Sequence, residues 1–226
     1  MRAAWGAWAG DRALLRNCTM TDRERKAGIK IRSVFKTLWE MLHGLDFTAQ
    51  VHPHATVLDP ATAYKSSPSG NRYLEAVLND LKITSADAII DLGCGKGSAM
   101  RTMLKYPFSV IDGVEFSGPI ASVARRNFER LKAGRCSVFT LNAADFDAYD
   151  PYDIVYLYNP FPAVVMAKVM EHISGSLKRV PRRVVIIYDN PQWGGEILKK
   201  KAFRKTNEYP DEWGNRIFVY ANILQD

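Results

Sequence analysis

Apolar positions along the 226-residue chain fall into two spacings. From Ile31 to Leu42, the residues Ile31, Val34, Phe35, Leu38, Trp39 and Leu42 recur at helical intervals and predict one amphipathic helix. Tyr73, Leu74, Val77, Leu78 and Leu81 predict a second, from about Ser69 to Leu81. Beyond Ala88 the pattern changes to short apolar runs, each of a length suited to a strand buried on both faces. These runs are Ala88 to Leu92, Ser109 to Val114, Cys136 to Leu141, Tyr152 to Tyr158 and Arg183 to Tyr188. Helical stretches separate them at Ser98 to Lys105, Ser117 to Lys132 and Ala163 to Leu177. Two last strands, Ala202 to Glu208 and Arg216 to Ile223, flank the loop sequence YPDEWGN and predict a closing hairpin. Alternating strands and helices imply an α/β domain built on a mainly parallel sheet.

The residues with chemical promise gather where these strands end. The first strand runs into the sequence AIIDLGCGKG, with Asp91 two positions before Gly93 and further glycines at 95 and 97. Glycine tolerates positive φ and close approach of a ligand to the backbone. Loop amides followed by a helix start suit a polar or negatively charged group. A dinucleotide loop reads GxGxxG, whereas here Ser98 stands where its third glycine would fall. Glu115 ends the second strand, 24 residues past Asp91, which is one strand–helix–strand step. An acid there is placed to accept both hydroxyls of a ribose, with Phe116 beside the base.

The GxGxG spacing preceded by Asp91 resembles motif I of the class I S-adenosylmethionine (SAM) methyltransferases. That resemblance implies a seven-stranded Rossmann-like sheet in the order 3-2-1-4-5-7-6, its last strand antiparallel, with helices on both faces. It implies SAM as cofactor, held by Asp91, Gly93, Gly95, Gly97 and Glu115. The sequence Asn142 to Phe146 resembles the family's acidic-aromatic element, so Asp145 is expected at the adenine amino group and Phe146 against the ring. Tyr64, in a segment that folds over the cofactor in this family, is a further candidate. The turn Asn159-Pro160-Phe161-Pro162 resembles the Asn/Asp-Pro-Pro-aromatic motif of amino-group methyltransferases with one proline missing. Asn159 is then the expected catalytic residue, orienting an acceptor nitrogen, with Phe161 as a wall. Similar YNPF sequences occur in small bacterial methyltransferases, and the likeness runs from about Asp59 to Asp189.

Charge changes the picture in one respect. The formal net charge is +7, and residues 1–32 carry eight Lys/Arg against three acids, so +5 of it lies in the N-terminal arm. The expected organisation is a basic arm over 1–30, a helical appendage or cofactor cover over 31–82, and the SAM-binding domain over 83–226. Met20 begins a second plausible start, leaving residues 1–19 as an extension without a structural role. Lys178, Arg179, Arg182 and Arg183 precede the fifth strand, and Lys199, Lys200 and Lys201 precede the sixth, so both clusters belong at the sheet's amino end. The catalytic edge instead collects Asp189, Trp193, Glu208, Asp211, Glu212 and Trp213. Acids and aromatics suit a cation or an amine better than a phosphodiester.

Three cysteines without CxxC spacing indicate neither a zinc site nor a disulfide framework. His52 and His54 lack a third ligand nearby, so no metal is expected. No apolar run reaches the roughly 20 residues that span a bilayer, and a cytoplasmic enzyme is expected. The sequence therefore points to a SAM-dependent transfer of methyl to a nitrogen of a protein or small-molecule amine. An RNA methyltransferase, served by the basic arm, and a non-catalytic SAM-binding adaptor remain as alternatives. A dehydrogenase using NAD fits neither the GxGxG spacing nor the closing hairpin.

Overall fold

Burial separates the strands by their place in the sheet. In a computed structural model, which describes residues 37–48, 70–158 and 161–223, three strands are apolar at almost every position. They are β1 (Ala88–Leu92), β4 (Ile154–Tyr158) and β5 (Val185–Asp189). A parallel strand covered on both faces has no solvated side to accept polar residues. By contrast β3 (Cys136–Thr140) and β6 (Phe203–Pro210) expose most of their side chains, as edge strands do. Between them lie β2 (Val110–Glu115) and β7 (Arg216–Asn222). The order is β3-β2-β1-β4-β5-β7-β6. The first five strands pair in parallel and β7 runs antiparallel to both β5 and β6. This is the Rossmann-like methyltransferase sheet that the glycine motif implied.

Two apolar clusters fill the two faces. One holds Ile89, Ile111, Tyr156, Val185, Ile187 and Ile217 from the sheet, packed with the helices Arg72–Leu81, Ser98–Met103 and Gly118–Arg130. The other holds Ile90, Leu92, Val155, Leu157, Ile186 and Tyr188 with the helix Ala163–Arg179. A sixth helical segment, Gly194–Lys199, was not anticipated. At six residues, opening on two glycines, it is too short to show a period.

The chain divides into Met1–Trp39 and Glu40–Asp226. Of the first, residues 37–39 are described, and they are helical. In the second, residues 40–42 are helical as expected, and residues 40–48 are tied down by buried polar contacts. Glu40 accepts from Arg101 Nη1 at 2.7 Å, from Thr48 Oγ1 at 2.7 Å and from the backbone N–H groups of Phe47 and Thr48. Asn127, on the buried face of its helix, donates to the carbonyls of Asp46 and Lys96 and accepts from Asp46 N–H. Lys96 reaches Asp46 at 2.6 Å. The glycine turn is thus braced by a segment some fifty residues earlier. Among the described residues no helix is long and apolar enough to cross a membrane, and no group of His, Cys, Asp and Glu is arranged to hold a metal.

Candidate active site

Parallel strands place their last residues along one edge, and the candidate site forms there. Gly93, Gly95 and Gly97 all adopt positive φ, at 79°, 55° and 86°, a region that L side chains rarely enter. The turn is fixed by N–H donation from Gly93 and Cys94 to Val114 O at 2.8 and 3.0 Å. At Gly97 an added Cβ would lie 2.5 Å from the Phe128 ring. Turn geometry and packing therefore both demand glycine here.

Two acids flank this turn. Asp91 is 2% exposed and its Oδ2 has no hydrogen-bond partner among the described residues. Burial holds its carboxyl well above the usual range, and the charge of Glu115 adds to the effect. A buried carboxylate oxygen left without a donor costs free energy unless a ligand satisfies it. Glu115, at the tip of β2, accepts from Gly95 N–H at 3.0 Å through Oε2 and from Ser117 N–H at 2.8 Å through Oε1. Its pKa is raised by burial, an effect moderated by the N–H groups of Ser117, Gly95 and Phe116.

The remaining candidates fall in different settings. Phe116 is 58% exposed at the strand tip, open to a planar ligand. Asp145 is exposed in the turn after β3, where its N–H bonds Asn142 O at 2.9 Å. Phe146 is a core residue, edge-on to Tyr149 at 5.0 Å and tilted against Phe139 and Tyr152. Phe161 is buried in that same cluster. Tyr64, His52, His54, Asn159 and Pro160 lie outside the described residues.

On the far side of β4 a second group assembles. Asp189, the last residue of β5, is 4% exposed and accepts from the Tyr156 hydroxyl at 3.3 Å. Its pKa is pushed up to about 7, chiefly by burial and further by Asp211, against the pull of Tyr156 and of Asn190 N–H. Tyr158 pairs with Asp189 across the β4–β5 ladder. Its phenol is raised by burial and by the charges of Asp189 and Asp211. Asp211 organises the hairpin loop, accepting from Trp213 N–H at 2.8 Å and Asn215 N–H at 2.7 Å. Trp213 stands edge-on to Tyr73 at 5.7 Å, and Glu212 N–H donates to the Tyr73 hydroxyl. The loop is therefore seated on the start of the helix Arg72–Leu81. The sequence places Asp189 and Asp211 at this edge but does not show that Asp189 is buried against Tyr156. The signal missed was Tyr156, a polar aromatic inside a core strand.

The expected charge polarity also holds in the topology. The strands β5 and β6 run the same way, so Lys178 to Arg183 and Lys199 to Lys201 precede them on the opposite edge. Arg182 there donates to the carbonyls of Tyr149 and Tyr152, and Arg179 pairs with Asp150.

Known proteins agree with this architecture. Residues 90–185 match the family described as a methyltransferase domain. The putative methyltransferase yhhF from Escherichia coli superposes with a TM-score of 0.57 at 19% identity, covering 72% of this chain and 93% of that one. A protein of Pyrococcus horikoshii OT3 gives 0.54 at 16% identity, over 67% and 89% of the two chains. A mutant of MtNAS in complex with S-adenosylmethionine gives 0.51 at 18% identity, over 68% and 62%. At these identities the likeness is one of fold. No curated protein matches the chain by sequence. The sheet order is that of the class I, Rossmann-like methyltransferase fold, and the family match lies within it.

Proposed function

We propose that the protein binds SAM across the ends of β1, β2 and β3 and transfers its methyl group to an amine nitrogen positioned beyond β4. The observation that carries this reading is the unpartnered, buried Oδ2 of Asp91 beside a turn of three positive-φ glycines. An amino acid's ammonium satisfies such an oxygen, and the glycines let its chain lie against the backbone. Glu115 would take the ribose hydroxyls, and Phe116 and Asp145 the adenine, with Phe146 supporting that turn from the core. Tyr64 would close over the cofactor. Bound there, SAM supplies a sulfonium-activated methyl group; the protein contributes alignment and exclusion of water. Asn159 follows Tyr158 directly and would orient the acceptor nitrogen, with Phe161 as its wall.

The acceptor class follows from charge. The edge beyond β4 carries Asp189, Asp211, Trp193 and Trp213, and its cations Arg72 and Arg216 are paired with Glu212 and Glu208, whereas phosphate contacts would require free cations there. The basic clusters at the opposite edge give an RNA substrate no footprint around the transferred methyl.

Calorimetry tests the cofactor first: SAM or S-adenosylhomocysteine should bind and NAD should not, and tighter NAD binding would overturn the reading. Transfer of labelled methyl into a cell lysate, divided between nuclease and protease treatment, then identifies the acceptor. Label in protein or small amines is expected; label in RNA would replace the amine, and no label would leave a binding adaptor. With that acceptor, Asn159→Ala should slow single-turnover transfer roughly 100-fold while sparing SAM affinity, because a positioning contact acts mainly in the transition state. An unchanged rate would make the YNPF turn purely structural.

A further inference from the structure

The strand register puts Asp189 in a specific relation to the cofactor's anchor. Asp91 pairs with Tyr156 across β1–β4, and Tyr156 with Ile187 across β4–β5. Side chains two residues apart on a strand share a face, so Asp189 points to the same side of the sheet as Asp91, with Tyr156 between them. Two strand spacings, roughly 10 Å, separate the two acids across the sheet. Asp189 also sits beside Tyr158, the residue that leads into Asn159. One buried acid therefore marks the near end of the proposed SAM site, and the other lies beside the last residue of β4, beyond which the acceptor is proposed to sit.

The surroundings of Asp189 lack what normally sustains a buried carboxylate. Among the described residues no Lys or Arg forms an ion pair with it. Facing it are Tyr156 and Tyr158 from β4 and Asp211 from the hairpin loop. On β7 its opposite number is Ile217, and the neighbouring Arg216 pairs instead with Glu208. A second carboxylate nearby with no counter-cation makes the ionised form costly until a cation arrives. Trp213 and Tyr73, beside the loop that carries Asp211, add aromatic surface on that side, suited to the stem of an ammonium group.

We propose that Asp189 is the acceptor-side catalytic acid–base group, holding the positive charge that develops on the amine during transfer and then taking its proton. This rests on the SAM reading given above. The acceptor's lone pair forms the new N–C bond while the C–S bond breaks with its electrons retained by sulfur. The resulting N-methylammonium loses one proton to the Asp189 carboxylate, which returns it to solvent as product leaves. A group that titrates near neutrality is suited to that exchange. Asp211 and Tyr158 help to keep the ion in place, and the substrate class is a primary or secondary amine with an apolar stem.

Sinefungin provides a test that needs no acceptor. It replaces the methylated sulfonium of SAM with a carbon bearing an ammonium, which projects to where the methyl leaves. Dissociation constants of sinefungin and S-adenosylhomocysteine are measured by calorimetry across about pH 5 to 8.5 for the wild type and Asp189→Asn. The wild type should favour sinefungin by about tenfold at high pH, as expected for a semi-buried charge pair. That preference should fall toward parity as pH drops through about 7, while Asp189→Asn should show little preference at any pH and bind S-adenosylhomocysteine within about twofold of wild type. Effects of Asp91 and Glu115 on the shared part of the two ligands cancel in the ratio. A pH-independent ratio in the wild type overturns the proposal even if the variant does not fold, and so does an unchanged ratio in a folded Asp189→Asn. If S-adenosylhomocysteine fails to bind the wild type, the cofactor reading falls and takes this proposal with it.

Discussion

The carboxyl edge of the sheet has two halves, and their acids are treated in opposite ways. Glu115 and Asp189 each end a parallel strand, and each is largely removed from water. Glu115 accepts from the N–H groups of Gly95 and Ser117 at 3.0 and 2.8 Å; Asp189 has a 3.3 Å contact with a phenol, the pull of Asn190 N–H and a carboxylate neighbour in Asp211. At Glu115 the turn and the strand tip stabilise each other, while Asp91 beside them keeps one buried oxygen without a partner. The second half holds negative charge that the protein's own side chains do not neutralise. On the function proposed above, the difference would separate a half shaped for the cofactor from a half left for a cationic acceptor.

The strongest way to break the first half is to add one carbon to it. At Gly97 a Cβ would require φ near 86° and would meet the Phe128 ring at 2.5 Å. That ring is pinned edge-on by Phe47 at 5.9 Å and cannot move aside freely. Gly97→Ala should cost roughly 2–5 kcal/mol from the left-handed backbone and the overpacking together, and should abolish S-adenosylhomocysteine binding. Gly195 in the short helix has open space around it, so Gly195→Ala should leave both properties unchanged. Urea melts with a binding titration check the pair; equal behaviour would mean the turn is more plastic than its packing implies.

The second half should announce itself in the pH dependence of stability. Burial pushes the Asp189 pKa up to about 7 in the folded protein, against about 3.9 for an exposed aspartate, so between those values the native state holds a proton that the unfolded chain has lost. Stability from this group is full below about pH 4 and declines as pH rises toward 7, by up to roughly 4 kcal/mol. Asp91 and Glu115 are raised too and slope the same way. Asp189→Asn should therefore flatten the decline and be more stable than wild type at pH 8, as measured by chemical denaturation at several pH values. A parallel-shifted curve of unchanged slope would show that Asp189 titrates normally and that the two halves are electrostatically alike.

The contrast also explains what could be read from the sequence. The interior strands were legible because each is a local apolar run, the last two because they flank a turn-rich loop, and the glycine turn because its conformational demand is written in consecutive residues. The strand order came through resemblance, and the sheet has it. The bracing of Gly93–Gly97 was not legible: Asp46, Lys96 and Asn127 are brought together over 81 residues, and Asn127 merely occupies a position that helical spacing assigns to the core. Asp189 was visible as an acid at a strand end. Its missing counter-cation was not, since that property belongs to β4, β5 and the hairpin loop jointly. The packing of Phe146 and Phe161 was equally illegible, because motif position marks them only as site candidates and the fold alone shows both buried in one apolar cluster.

The smallest expected effect sharpens the comparison most, because Glu115 has two roles that must be separated. Glu115→Ala removes the acceptor for Gly95 and Ser117 N–H as well as the proposed ribose contact, and should weaken S-adenosylhomocysteine by about 1.5–3 kcal/mol. That loss alone does not say which role was removed. The 2′-deoxyribose analogue of S-adenosylhomocysteine resolves the matter in a double-mutant cycle. If the carboxylate grips the hydroxyl, wild type should bind the deoxy analogue at least several-fold more weakly, and Glu115→Ala should bind both ligands alike. If Glu115 only shapes the turn, the deoxy analogue should lose the same factor in both proteins. Glu115→Gln completes the argument. Its amide NH2 would face a backbone N–H on one side, so it should lose nearly as much affinity as alanine despite its similar size. A glutamine variant that binds like wild type would mean that the turn needs volume there rather than charge, and the claimed contrast between a neutralised and an unneutralised acid would lose one of its two members.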